Sequence, residues 1–284
     1  MKKTLLAALI LLPASLWAEG SDDFGVWTEI GLSKSLSKQW SLGVDAEFRS
    51  QAKLRGSIGA NAEYKPCKYF KAGVFYTFIY SMKPEKREEH YRKDIVDEDH
   101  WNGYDIKDAD WRPRHRAGVD LTGTVKLWKW LRISVRERYQ MTYCPVLYRT
   151  ETKYRYEYLG MADGERQYEL RDDNDDGVAD YPTTGQDRKD SWTTHMLRSR
   201  LKLAYDKKKC PLSPYVSAET SNVLNDNMRL EKVRTSIGLD YKLSKQHEIG
   251  VAYVLSCDIY DDEDDKSRLN ERIHALNIGY KYKF

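Results

Sequence analysis

Hydrophobic and polar positions alternate with a period of two over most of this chain. In the segment 273–284, His274, Leu276, Ile278, Tyr280, Tyr282 and Phe284 share one face. Ile273, Ala275, Asn277, Gly279, Lys281 and Lys283 share the other. Such alternation makes a β-strand with two different environments. The cleanest case is Trp40, Leu42, Val44, Ala46 and Phe48 against Ser41, Gly43, Asp45, Glu47 and Arg49. The same reading predicts strands around 24–32, 54–64, 70–80, 114–125, 130–141, 197–205, 216–219, 233–241 and 249–255. Glu137 interrupts the apolar face of its strand, which places it near a rim or marks a slipped register. Two charged stretches, 81–111 and 144–191, lack the alternation and read as long loops, the second with a hairpin around Tyr154–Tyr156 and Gln167–Glu169.

Short turns at Ser37, Pro66, Lys129, Lys208 and Lys245 alternate with longer connections after Arg49, Tyr80, Tyr143, Glu219 and Tyr260. Together with one lipid-ready face per strand, this asymmetry predicts an all-β fold, an antiparallel transmembrane β-barrel with short periplasmic turns and long extracellular loops. The pattern yields eleven strands. Single-chain bacterial barrels carry an even number, so ten or twelve is expected, twelve by preference.

Composition changes the picture in three places. Lys2 and Lys3 precede the apolar run 5–12, and Ser15-Leu16-Trp17-Ala18 has the small-x-small pattern of a cleavage site. Residues 1–18 therefore read as a Sec signal peptide and 19–284 as one exported barrel domain. A mean hydropathy of −0.75 does not argue against a membrane location, because only alternate strand residues face lipid. The 21 Tyr and 8 Trp suit interfacial girdles, and a net charge of +3 gives no reason to expect nucleic acid. Cys67, Cys144, Cys210 and Cys257 lack metal spacing. Free thiols are expected; the alternative is a disulfide between Cys67 and Cys210, which both fall in predicted short turns at the same barrel end.

The segments Val26-Trp27, Leu36 to Leu42, Glu47-Phe48-Arg49, Pro214-Tyr215, Glu219, Arg234, Gly238-Leu239, Tyr241 and Gly250 to Tyr253 carry a resemblance. They are similar to a family of Gram-negative outer-membrane β-barrel proteins known as a domain of unknown function. The resemblance implies the fold and the outer-membrane location, with no activity and no catalytic residues. A strand ending on Tyr280, Tyr282 and Phe284 also resembles the assembly signal read by periplasmic chaperones and the barrel assembly machinery.

Inward-facing positions segregate by charge. Arg114, Arg116, Arg132, Arg136, Arg138, Arg198, Arg200 and Lys202 form a basic wall, against Glu29, Asp45, Glu47, Glu63, Glu219, Asp240 and Glu248. At this strand number, long arginines reach carboxylates across the lumen. The first expectation is a structural or binding barrel with a charge-filled lumen and loops that meet an extracellular ligand. The alternative is a narrow, anion-preferring, porin-like channel. A membrane-embedded hydrolase comes last: Asp99, His100, His115 and His195 lie near loops, but no Ser/His/acid spacing stands out. No cofactor is required. The stretch Asp172, Asn174, Asp176 and Asp180, with Gly177, has the spacing of a short calcium loop but lacks the closing glutamate, Thr183 standing at its position.

Overall fold

The computed structural model describes residues 22–50, 54–93, 99–128, 130–163, 165–174, 176–207, 210–259 and 272–284. Residues 1–18, expected to be a signal peptide, lie outside them. In chain order the strands are β1 (Asp22–Ser35), β2 (Trp40–Ser50), β3 (Arg55–Tyr64), β4 (Phe70–Lys83), β5 (Lys86–Lys93), β6 (Asp99–Lys107), β7 (Asp110–Leu127) and β8 (Leu131–Cys144). They continue as β9 (Leu147–Ala162), β10 (Glu165–Leu170), β11 (Thr183–Lys189), β12 (Trp192–Tyr205), β13 (Leu212–Val223), β14 (Arg229–Lys242), β15 (His247–Asp258) and β16 (Arg272–Lys283).

Eleven of these close a barrel in the order β1-β16-β15-β14-β13-β12-β8-β7-β4-β3-β2. The count agrees with the alternation and falls between the expected ten and twelve; the preferred twelve is not reached. An odd number of up-and-down strands leaves the first and last pointing the same way. The closing pair β1/β16 is accordingly parallel, in continuous register from Asp22↔Arg272 to Ser33↔Lys283. The neighbouring pairs β1/β2 and β15/β16 are antiparallel. Phe284 extends the closing seam, its amide donating to the Ser33 carbonyl at 2.9 Å.

The barrel is apolar on the outside. Val26, Ile30, Val44, Phe48, Ile58, Val74, Leu121, Val135, Ile237, Val251 and Leu276 are between 42 and 61% exposed. The fully buried apolar cluster inside is small: Trp27, Val254, Ile273 and Ala275. Near the short turns the band is edged by ring pairs, Trp40–Tyr64 at 4.8 Å, Trp128–Trp130 at 6.0 Å and Tyr282–Phe284 at 4.6 Å. Toward the other end, tyrosine hydroxyls meet histidine Nδ1 atoms: Tyr76–His115 at 2.8 Å, Tyr139–His195 at 2.8 Å and Tyr253–His274 at 2.6 Å. Amphipathic rings at both margins of an apolar band are the arrangement an interface selects.

Glu137 lies on the outward face, opposite Leu121 across the β7/β8 ladder. It accepts a hydrogen bond from the Ser199 hydroxyl on β12 at 2.5 Å. The alternation of β8 is therefore in register, and the carboxylate belongs to the apolar face itself.

Residues 82–112 and 145–192 form a second compact unit. Both read as loops from the sequence, yet they fold into a sheet of order β10-β9-β6-β5, with β11 also pairing β9. Bulges at His90/Tyr91 and Gln167/Tyr168 shift the side-chain phase. Strands carrying polar residues on both faces give no hydrophobic alternation to detect. The expected hairpin is present as β9/β10, with Glu169 opposite Glu157.

Candidate functional site

The barrel interior holds a cavity of about 490 Å³. Of the basic positions expected there, Arg116, Arg136, Arg138, Arg198, Arg200 and Lys202 line it, as do all seven acidic ones, Glu29, Asp45, Glu47, Glu63, Glu219, Asp240 and Glu248. Two others sit apart from the lining. Arg114 donates to the Ser81 hydroxyl at 3.0 Å, and Arg132 lies 3.7 Å from Asp206, just past the end of β12. Arg49, Arg55 and Arg234 also line the cavity. Their strands alternate as the others do, but the acids beside them hid their part in a basic cluster.

Two carboxylates organise the arginines. Glu47 receives both ends of Arg49, Nε to Oε1 and Nη2 to Oε2, each at 2.8 Å, with Arg55 at 3.5 Å. Glu219, 5% exposed, takes Arg136 at 2.9 Å, Arg198 through Nε at 3.2 Å and again through Nη2, and Arg234 at 3.7 Å. Bidentate guanidinium–carboxylate pairs are the strong form of this contact. Trp27 joins the two groups: the Arg49 guanidinium lies 3.9 Å and that of Arg234 5.1 Å from its ring. Because β2 and β13 lie five strands apart around the barrel, the chain Glu47–Arg49–Trp27–Arg234–Glu219 crosses the lumen.

Toward the short-turn end the pairs are more evenly matched. Arg138 holds Asp120 at 2.5 and 2.7 Å, Lys202 reaches Asp240 at 3.2 Å, Lys71 meets Glu63 at 2.6 Å, and Lys283 meets Glu248 at 3.3 Å. Aromatic rings lie among them, Phe75 under Arg138 at 4.3 Å and Tyr215 under Lys202 at 3.4 Å. Glycine makes room for both rings: a Cβ on Gly118 would stand 2.8 Å from Phe75, and one on Gly238 2.7 Å from Tyr215.

Two of the hydrolase candidates, His115 and His195, have described side chains. Both are taken by tyrosine hydroxyls on the outward face. The side chains of Asp99 and His100 lie outside the described residues. None of the four cysteines is in a disulfide: Cys144 and Cys257 are buried, Cys67 exposed and Cys210 half-buried.

In the Asp172–Asp180 stretch the side chains turn back onto the loop's own amides. Asp172 accepts from Asn174 at 3.2 Å and Gly177 at 2.7 Å, Asn174 from Asp176 at 3.0 Å, and Asp180 from Asp173 at 2.7 Å. Among the described residues, no group of three or more His, Cys, Asp or Glu side chains converges as metal ligands do.

The second unit has its own charge ladder. Lys107 bridges Glu88 at 2.9 Å and Glu151 at 3.3 Å, and Lys86 meets Glu88 at 2.6 Å. The hydrogen bonds from Lys86 and Lys107 hold the Glu88 carboxyl down at about 2. Burial raises Asp105, but hydrogen bonds from Arg155 and His90 outweigh it and leave that carboxyl below its ordinary range.

No curated protein matches this chain. Among solved structures it is similar to the beta domain of the Bordetella autotransporter Brka, at 9% identity and a TM-score of 0.49, over 88% of this chain and 86% of that one. A family model described as "Protein of unknown function (DUF2490)" matches residues 24–266, and the chain belongs to that family.

Proposed function

We propose that this protein is an outer-membrane β-barrel of a Gram-negative bacterium, a structural or binding barrel whose lumen is closed by its own charges. The observation that carries the reading is the bar of side chains from Glu47 through Arg49, Trp27 and Arg234 to Glu219. A guanidinium stacked on a buried ring and paired to a carboxylate is not readily displaced by water or a passing ion. The outward apolar band and its ring margins favour lipid as the surrounding medium. In this reading residues 1–18 direct export and are removed. Outer-membrane lipids cover the band, and periplasmic chaperones and the barrel assembly machinery handle the unfolded chain through β16 with Tyr280, Tyr282 and Phe284. Calcium capture by Asp172, Asn174, Asp176 and Asp180 is a separate proposal that rests on their spacing.

The excess of arginine over carboxylate in the outer half of the lumen favours the second reading, a narrow anion-preferring channel. Single-channel recording of the refolded protein in a planar bilayer separates the two. Closure predicts no conductance steps from the wild type and steps from Glu219→Ala, which cuts the bar at one end. Steps from the wild type with anion selectivity overturn closure in favour of the channel.

A further inference from the structure

We propose that the barrel lumen binds a small polyvalent oxyanion of the phosphate or phosphoryl class, held by Arg55, Arg116 and Arg234. The case begins with charge. Eight arginines line the cavity, and five of them, Arg49, Arg55, Arg136, Arg198 and Arg234, share just two carboxylates, Glu47 and Glu219. Both carboxylates are already committed, Glu47 to the fork of Arg49 and Glu219 to Arg136 and Arg198. Arg116 donates to the Thr142 hydroxyl at 3.2 Å, and among the described residues no carboxylate lies within ion-pair distance of it.

Donors are left over as well as charge. The Nε atoms of Arg55 and Arg234 are buried and have no hydrogen-bond partner among the described residues. Buried donors are ordinarily satisfied, and each exception asks for an explanation. Water could fill the hydrogen bonds but leaves the like charges facing one another in a medium of low dielectric, where repulsion is strongest. A tetrahedral oxyanion answers both needs, since its oxygens accept from several planar forks at once. The cavity, about 490 Å³, is ample for such an ion.

The assignment rests on the charge-lined lumen of the proposed function but not on its closure. Free oxyanions and lipid phosphates share the recognising chemistry, so both are tested. The probe is inorganic pyrophosphate, added to the refolded full-length chain in zwitterionic detergent against sodium chloride of equal ionic strength. At about 5 mM, binding to the folded state is expected to raise the melting temperature by several degrees in a saturable way. Micelles doped with phosphatidic acid are expected to give a smaller shift, because the cavity is enclosed by the barrel wall. A larger shift with the lipid overturns the assignment of a soluble ligand.

Arg116→Gln should weaken the apparent pyrophosphate affinity at least about tenfold. Arg188→Gln, at a side chain 61% exposed, should leave it unchanged. If Arg116→Gln does not fold, equilibrium dialysis of the wild type decides: one saturable site supports the proposal. A melting shift equal to that of sodium chloride, or no saturable binding, overturns it. Failed binding with silent bilayers removes the anion site and leaves the closed barrel standing. Binding with wild-type conductance does the reverse.

Discussion

Glu219→Gln removes one negative charge and almost no volume from the centre of the arginine cluster. Glu219 is 5% exposed, and the guanidiniums of Arg136, Arg198 and Arg234 all lie within 3.7 Å of its carboxylate. The arginine side chains are themselves only 14 to 20% exposed, so solvent screens little of the interaction. Two unit charges 4 Å apart interact by about 4 kcal/mol at an effective dielectric of about 20. Three such contacts sum to a gross attraction of roughly 10 kcal/mol, most of it offset by the desolvation of four charged groups. Removing one partner reverses that balance, because the guanidiniums stay buried and now repel. Losses of about 3–5 kcal/mol are typical when a buried pair is broken in this way. Glutamine keeps one acceptor oxygen, so about 3 kcal/mol is expected. The assay is urea unfolding in detergent micelles followed by tryptophan fluorescence, with heat-modifiable migration on gels as a second readout. Asp190→Asn is the control: its pair with Arg188 is 61% and 83% exposed, and a change within about 0.5 kcal/mol is expected. Adding Arg234→Gln to Glu219→Gln should recover part of the loss. A Glu219→Gln variant within about 1 kcal/mol of wild type, or no worse than the control, would refute the cluster as a buried, mutually dependent unit.

Three other outcomes follow from the same geometry. Glu137→Leu should stabilise the barrel by about 1 kcal/mol, since it removes a carboxylate from a lipid-facing band, whereas Ser199→Ala should destabilise it by about 1–3 kcal/mol. Equal effects of the two changes in urea titrations would mean that Glu137 faces water or a protein partner. In the second unit, the folded Glu88 carboxyl titrates at about 2, below its unfolded value near 4.3. Its stabilisation is therefore complete above the unfolded value and lost as pH falls toward about 2. Limited proteolysis within 82–112 and 145–192 should accelerate over that window, and Glu88→Gln should flatten the dependence. For the Asp172–Asp180 loop, millimolar calcium is expected to slow protease cleavage there, and Asp176→Asn to abolish the protection. Unchanged cleavage rates would leave the loop an acidic turn held by its own amides.

Several features were legible in the sequence because they are local. Period-two alternation is a property of the backbone, so Trp40 to Arg49 names the two faces of β2 before any partner strand is known. The same holds for the inward placing of Glu219, Arg198 and Arg136, and for the five short turns. Glu137 shows the limit of this reading. Its alternation was right, but the reason a carboxylate tolerates the apolar face is Ser199, 62 residues away on β12. The second sheet escaped notice because it has no apolar face to alternate and because two bulges break its phase.

What the sequence by itself determined was the sidedness of each barrel strand, the all-β class and the charge carried inward, since each depends only on neighbours along the chain. The tertiary structure alone decided that eleven strands close with a parallel β1/β16 seam, since closure depends on strand count and direction together. It also decided that Arg49 and Arg234 both approach the Trp27 ring, and that Glu219 serves three arginines while Arg116 has no carboxylate partner among the described residues. Charge pairing across a lumen is set by which strands stand opposite one another, and no local pattern of residues records that distance.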